Sequence, residues 1–403
     1  MSFATRILLF VLTFALGDAL EAKTLEQFVK QAAINNGLVA TEKFNPPFND
    51  TLAGIGETIF NSKSLSLNGE ISCQSCHLDK FGSADGIPNA IGVGGEGEGD
   101  ERVVKGGAVL PRNTLPLWGR GSPLFRTFFW DGRVDFSNGK TSSQFGVELP
   151  SDDPLVVAIH LPVVEIREML AEDKFVGSQK QENVDAAKRV YAGVMDRLKT
   201  NHGSEMAKLA ENRNKAPSDL AYIDVALSIQ EFIKKKFAVK PHKFERFVFK
   251  NQKLDKNELV GAALFYGKGK CGLCHSGPLF SDFEFHTIPF RQLGSGKNGF
   301  GVDYGRFNVT HNPKDLYKFR TPPLLNVSKT GPYGHSGSMG SIQEAISLHF
   351  DPLKGIQEAN LNAHDRIELF KKIASSSQVL HSISTLDDQE LESLVAFLKT
   401  LNF

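Results

Sequence analysis

Apolar positions recur at helical spacing in several separated stretches of the chain. Leu52, Ile55, Ile59 and Phe60 fall on one face of a helix over 52–60, and Leu259 to Phe265 repeats that arrangement in the second half. Each of these helices runs through a short loop into a C-x-x-C-H pentapeptide, so the unit of helix, loop and motif is duplicated within the chain. Each half also carries a late helix able to close a pocket over its motif. One spans Ala221 to Lys236, with Ser218 or Asp219 as its cap; the other spans Asp387 to Leu401, with Thr385 or Asp387 as its cap. Leu25 to Asn36 reads as a short amphipathic helix and Asn45-Pro46-Pro47 as a connector. Two stretches interrupt the first half. Gly92 to Gly107 is rich in Gly and Glu and is expected to be a mobile loop. Ala171 to Lys215 is highly charged, with helical spacing at Val184, Ala187, Val190 and Val194, and reads first as a solvated surface and second as a partner-holding element.

The chemistry lies in Cys73-Gln74-Ser75-Cys76-His77 and Cys271-Gly272-Leu273-Cys274-His275. Two cysteines three apart form thioethers to the two vinyl groups of one haem, and the histidine that follows at once binds the iron. An isolated C-x-x-C is also compatible with a redox dithiol or half a zinc site. Here all four cysteines of the chain fall in two such motifs, which predicts two covalent haem c groups held by Cys73, Cys76, His77 and Cys271, Cys274, His275. The expected fold is mainly α: two cytochrome-c-like helical domains, 23–243 and 244–403, each with one haem, meeting at an interface between the haems. Residues 1–22 read as a secretory signal. Arg6 precedes an apolar run from Ile7 to Leu16, suited to a signal core and too short to span a bilayer, with cleavage after Gly17 or Ala22; an uncleaved anchor is the alternative. The expected location is the periplasm. Lys plus Arg and Asp plus Glu number 46 each, so no net field favours nucleic acid or an anionic membrane, and partners must be read by local patches.

Pro111-Arg112-Asn113, Phe128-Phe129-Trp130-Asp131-Gly132-Arg133, Arg320-Thr321-Pro322 and Thr330-Gly331-Pro332-Tyr333-Gly334-His335-Ser336-Gly337 stand between and after the haem motifs. With the two C-x-x-C-H motifs, this series resembles the bacterial dihaem cytochrome c peroxidase and MauG family over nearly the whole mature chain. The resemblance implies that peroxide reacts at the first haem, that the second stores and relays electrons, and that Trp130 stands between them as a relay. It implies a calcium ion held by the Asn113 side chain and the backbone carbonyls of Thr330 and Pro332, a donor set suited to a hard cation that keeps several waters. It gives Arg320 and His335 places near the haem interface, orienting propionates and water. It also requires an acid/base group above the first iron. Glu165, in Leu161-Pro162-Val163-Val164-Glu165-Ile166, is the candidate, with an ordinary surface carboxylate as the alternative because Glu168 and Glu172 follow nearby, and Gln144 is a candidate pocket glutamine.

Departures from the family pattern carry the finer expectation. Where many relatives have a histidine that caps the first iron, this chain has Val93, and between His77 and His160 it has no other histidine. The first haem is expected to be open, with His160 the one nearby imidazole able to block it. Opposite His275 the expected ligand is His349, on a helical face with Ile342, Ala345 and Ile346, and Met339 is its rival. These features look like MauG and MbnH-type enzymes. The implied reaction uses hydrogen peroxide to reach a high-valent dihaem state that oxidises a residue, a tryptophan, of a partner protein. Two alternatives stand beside it: a periplasmic peroxidase fed by a small cytochrome or copper protein, and a non-catalytic electron carrier. A monomer and a homodimer are equally compatible with the sequence.

Overall fold

The computed structural model describes residues 23–171, 184–354 and 361–403, and the expected signal at 1–22 lies outside them. Helix α1 spans 23–35, and α2 (Asp50–Asn61) buries Leu52, Ile55, Ile59 and Phe60, as its spacing predicts. Its cap is Asn49, whose side chain accepts from Leu52 N. After the first haem motif come α3 (Asp100–Lys105) and a small antiparallel sheet of β1 (Thr127–Phe128), β2 (Val134–Asp135) and β3 (Ser142–Ser143). The first half continues with α4 (Pro154–Val164), α5 (Val184–Asn201), α6 (Gly203–Asn212) and α7 (Tyr222–Lys236). The second half contains α8 (Lys243–Lys250), α9 (Lys256–Tyr266), β4 (Phe285–His286), α10 (Phe307–Thr310), β5 (Phe319–Arg320), α11 (Ile342–Phe350), α12 (Ala363–Ala374) and α13 (Asp388–Lys399). No described helix is long and apolar enough to cross a membrane.

The duplication extends to the helix crossings. Gly56 of α2 sits so close to α7 that a Cβ there would overlap the Ser228 carbonyl oxygen, and a Cβ on Gly261 of α9 would overlap that of Ser393 in α13. Only glycine permits backbones to approach so closely. Each serine hydroxyl is satisfied within its own helix, Ser228 Oγ donating to Val225 O at 2.7 Å and Ser393 Oγ to Gln389 O at 2.9 Å. Aromatic rings fill the crossings: Phe60 against Phe232 at 5.1 Å, and Phe265 against Phe397 at 5.0 Å.

Several expectations are corrected. The cap of α7 is Ala221, whose N–H is taken by Asp224 Oδ2 at 3.0 Å from inside the helix, while Ser218 and Asp219 form a separate turn. The cap of α13 is Asp387, not Thr385. The stretch Gly92 to Gly107 is tethered rather than free. Arg102 of α3 is buried and donates to Ile91 O at 2.8 Å and Gly92 O at 3.2 Å, filling the loop's interior with its own guanidinium. Of Ala171 to Lys215, residues 172–183 lie outside the described ones; the remainder is not simply solvated surface, because Val190, Val194, Leu198, Met206 and Leu209 are core residues.

Helix α1 precedes the first haem motif in the chain yet lies on elements of the second half. Lys30 Nζ donates to Asn251 Oδ1 at 3.0 Å, Gly277 N donates to Asn36 O at 2.8 Å, and Thr41 N and Oγ1 both donate to Glu245 Oε1 at 3.1 Å. A buried ion cluster also ties the halves. Arg112 grips Asp303 through Nε and Nη2, at 2.7 and 2.9 Å, and Asp131 through Nη1 at 2.6 Å.

Candidate haem sites and the seam between them

Each C-x-x-C-H folds as one tight turn, Cys73–Ser75 and Cys271–Leu273, closed by the histidine N–H onto the first cysteine's carbonyl at 3.1 and 2.8 Å. The histidine side chains repeat the pattern. His77 Nδ1 donates to Ser83 O at 2.9 Å and His275 Nδ1 donates to Phe280 O at 3.0 Å. Because a carbonyl only accepts, the proton is on Nδ1 and the Nε2 lone pair is free, the tautomer an iron ligand needs. Both accepting residues, Ser83 and Phe280, have left-handed backbone (φ 68° and 53°) that turns the carbonyl toward the imidazole. Burial lowers both imidazoles to about 4, so each stays neutral. Burial raises Cys73 and Cys271 to about 12, the opposite of the depressed thiol that a reactive dithiol needs.

At the second motif the fold leaves a cavity that fits a haem. Cys271, Cys274 and His275 line one wall and His349 of α11 another, over a largely apolar interior that includes Ile346 and Leu398. His349 Nδ1 donates to Ala345 O at 2.7 Å, which frees its Nε2 in turn. Met339 is fully buried in a separate cluster with Ala345 and Leu348, its sulfur accepting from Ser338 Oγ at 3.1 Å, and it does not line the cavity. Arg320 reaches the cavity with Nε on Phe129 O (2.9 Å) and Nη1 on Thr321 O (3.0 Å), while Nη2 is buried with no partner among the described residues. An orphaned guanidinium N–H at an apolar cavity is what a haem propionate would satisfy. Burial, with Arg120 nearby, lowers Arg320 to about 9, a cost an anion there would offset. His335 lines the same cavity, stacked on Phe319 at 4.0 Å and bonded to Gln292 Oε1 at 3.0 Å. The grouping of Cys274, Asp282 and His286 resembles a cation site, but its sulfur belongs to the haem motif.

The tryptophan motif spans the seam. Trp130 lines the second cavity and donates from Nε1 to Asn113 O at 2.9 Å. Asn113 Nδ2 donates to Pro332 O at 2.6 Å, and Thr330 lines the same cavity, so the three residues expected at calcium are neighbours there, with the amide nitrogen turned to the Pro332 carbonyl. Amide and carbonyl oxygens without a carboxylate suit a hydrated hard cation. One residue past Trp130, Asp131 is fully buried. Burial alone would raise its carboxyl, but Arg112 and Arg133 override this and hold it well below the usual range. Arg133 then pairs with Glu165.

That pairing sets Glu165 apart from Glu168. Glu165 caps the end of α4, partly exposed, its carboxylate taken by Arg133. Arg167 has left-handed backbone (φ 73°), and the turn it makes directs Glu168 elsewhere. Glu168 makes no side-chain hydrogen bond among those of the described residues and interacts electrostatically with both Cys73 and Cys76. Burial, reinforced by the Glu165 charge, raises its carboxyl to about 7. The Gly92-Val93 strand presses on this turn: Val93 N donates to Arg167 O at 3.0 Å, and a Cβ on Gly92 would overlap that oxygen. Gln144 is corrected: it is exposed in the turn after β3, because the sheet register puts Ser142 and Ser143 on the edge strand opposite Val134 and Asp135. His160 is buried, its Nδ1 donating to Val156 O at 2.7 Å and its ring held by Tyr191 and Tyr222.

A cytochrome-c peroxidase, IdrP1, of Pseudomonas sp. (strain SCT) is 27% identical over 383 residues, covering 86% of this chain and 87% of that protein. The methylamine utilization protein MauG of Methylorubrum extorquens is 26% identical over 364 residues, covering 89% and 80%. Among solved structures, a MauG-like protein associated with microbial copper homeostasis superposes with a TM-score of 0.65 at 22% identity, covering 91% of this chain and 92% of that one. The diheme peroxidase BthA of Burkholderia thailandensis gives 0.63 at 20%, covering 91% and 89%. These likenesses show the fold. The model of the di-haem cytochrome c peroxidase family matches residues 50–253, and the chain therefore belongs to that family of peroxide-using oxidoreductases, whose members carry two haem c groups.

Proposed function

We propose that the protein uses hydrogen peroxide to oxidise a tryptophan of a partner protein in the periplasm, taking two electrons from it for each peroxide reduced to two waters. The observation that carries the reading is the wall beside the first haem motif: an apolar Val93 pinned to the turn that bears Glu168, half-buried and with no side-chain hydrogen bond among the described residues. No histidine stands in that strand, so the first iron is left open. The haems supply the redox chemistry: peroxide reacts at the first, and the second stores and relays electrons.

The chain's own residues do the rest. Glu168, rather than Glu165, takes the proton from the inner oxygen of peroxide and returns it to the outer one, so that the bond between them breaks to release water. Glu165, ion-paired with Arg133, is a positioning residue for Glu168. His77 and His349 with His275 are the iron ligands, and two imidazoles without methionine favour the oxidised states. Trp130 bridges the two sites, Asn113 with the carbonyls of Thr330 and Pro332 holds calcium at the seam, and Arg320 and His335 orient propionate and water.

One observation favours a second reading. Several of the relatives, among them those from Pseudomonas sp. and Pseudomonas aeruginosa, are named as cytochrome c or c551 peroxidases, and Leu273, inside the second haem motif, is 63% exposed, an apolar point on which a small redox protein could dock. The two readings separate by incubating the holoprotein with peroxide and a periplasmic extract, then mapping oxidised tryptophan by mass spectrometry. The proposal expects tryptophan oxidised only when enzyme and peroxide are both present. Peroxide consumption that occurs solely on adding a reduced small cytochrome or copper protein, with no tryptophan modified, contradicts it.

A further inference from the structure

One of the six tyrosines of the chain gives its hydroxyl to a base. Tyr317, buried where the chain enters β5, donates from Oη to Glu368 Oε2 of α12 at 3.0 Å. Tyr191 donates instead to His160 O and Tyr333 to Val327 O, each at 3.0 Å, and a peptide carbonyl cannot keep a proton. At Tyr222, Tyr266 and Tyr304 no hydroxyl bond to a carboxylate is present among the described residues. The difference matters for oxidation. A tyrosine that loses an electron becomes strongly acidic, so the electron leaves readily only where a base stands ready for the proton.

Glu368 is such a base. Burial works to raise its carboxyl, but Lys371 Nζ on Oε1 (2.6 Å) and the Tyr317 hydroxyl on Oε2 outweigh it and hold the group below its usual range, so it is ionised at neutral pH. Burial and that same carboxylate push the phenol up, so Tyr317 keeps its proton until an electron is taken.

The residue also stands between the interior and the surface. Inward, Phe319, two residues on, stacks on His335 at 4.0 Å and packs with Trp130 and Leu115, and Arg320 N donates to Trp130 O at 2.8 Å. Outward, half-buried Tyr304 lies edge-on to Tyr317 with centroids 5.8 Å apart, and Phe307 of α10 follows at 5.9 Å.

We infer that Tyr317 is a redox relay between the seam and the surface: it gives an electron inward to the oxidised haem pair and its hydroxyl proton to Glu368, and it is refilled from outside through Tyr304. The inference rests on the function proposed above and adds the route by which the partner's electrons enter. In each passage the Tyr317 O–H bond breaks and a neutral tyrosyl radical is left. The electron that arrives by way of Tyr304 reduces it, and Glu368 returns the proton. Two passages, with two protons taken from solvent, convert one hydrogen peroxide to two waters.

The test uses the ferric holoprotein, frozen at intervals after one equivalent of hydrogen peroxide and read by EPR, with a second sample carrying ring-deuterated tyrosine. An organic radical should appear, narrow in the deuterated sample, vanish in Tyr317→Phe and form about a hundredfold more slowly in Glu368→Gln, whose amide takes no proton. Ferrocyanide added afterwards should quench it severalfold more slowly in Tyr304→Phe than in the wild type. Loss of the haem signals with no radical at any time overturns the inference, as does a radical unchanged in Tyr317→Phe; equal quenching in Tyr304→Phe overturns the outer half of the route. A parallel sample receives no peroxide and is oxidised by photogenerated tris(bipyridine)ruthenium(III). There the radical should come to rest on Tyr317, and a radical that settles on another tyrosine overturns the relay whatever peroxide does. If it settles on Tyr317 but the ferric protein ignores peroxide, the relay stands and the peroxide reading falls.

Discussion

The assignment of Glu168 as the group that moves the peroxide proton has a numerical consequence. Burial and the Glu165 charge raise its carboxyl from the ordinary 4.5 to about 7, against the opposing pull of Arg133 and Lys297. Only the ionised carboxylate can accept the proton, and each pH unit below the midpoint removes it about tenfold, so at pH 5 about 1% remains. The rate of peroxide reaction with the ferric holoprotein, followed by stopped flow from pH 5 to 8, should therefore climb about a hundredfold to a plateau above pH 7. Glu168→Gln should lower the plateau by about 10²–10⁴, the usual worth of a general acid/base group, and flatten the profile. Glu165→Gln removes the neighbouring charge and should keep the climb but move it to lower pH. A raised carboxyl also disfavours folding once ionised, so this group's effect on stability is a decline between pH 4.5 and 7 and nothing further above. A flat wild-type profile refutes the reasoning, and a profile abolished by Glu165→Gln but not by Glu168→Gln gives the role to Glu165.

Three further outcomes follow from the packing and the seam. Arg112→Met leaves Asp303 and Asp131 buried without their shared cation; denaturant unfolding at pH 7 should show a loss of about 3–5 kcal/mol, shrinking as the pH falls toward 4 and the stranded carboxylates protonate. In the wild type these carboxyls are depressed, so their contribution is present above their unfolded values near 3.8 and is lost only below. Gly56→Ala and Gly261→Ala force their methyl groups into the Ser228 and Ser393 carbonyls, and each should cost more than the ~1 kcal/mol that alanine ordinarily gains in a helix; thermal unfolding that shows either variant as more stable than wild type contradicts the crossing geometry. Trp130→Leu should slow electron passage between the sites, and it also removes the indole's hydrogen bond to Asn113 O and its packing on Leu115 and Phe319; an unchanged rate of second-haem oxidation by peroxide in rapid-mixing spectra would exclude the relay.

The haem motifs, the apolar faces of α2 and α9 and the closing helices were legible because each depends on residues a few positions apart. Contacts between distant segments were not. Nothing local in α1 shows that it lies on α8 and the second motif, since an amphipathic helix does not name the surface that buries it. The Gly92 to Gly107 stretch looked free because its tether is one arginine inside it, and arginines are ordinarily solvated. Glu165 and Glu168 could not be told apart by spacing: the left-handed turn at Arg167 sends one toward Arg133 and the other toward the first haem motif, and that backbone state has no signature in an arginine. A faint signal for the crossing glycines was available, as both interrupt otherwise good helix formers.

The central claim is an open first haem beside a second one ligated by two histidines. It is tested most directly by the EPR spectrum of the ferric holoprotein, before and after one equivalent of hydrogen peroxide with no reductant. The account predicts a high-spin signal beside a low-spin bis-histidine signal, with both lost on peroxide addition and the low-spin signal altered in His349→Ala. Two low-spin signals that ignore peroxide until the protein is half reduced would contradict it.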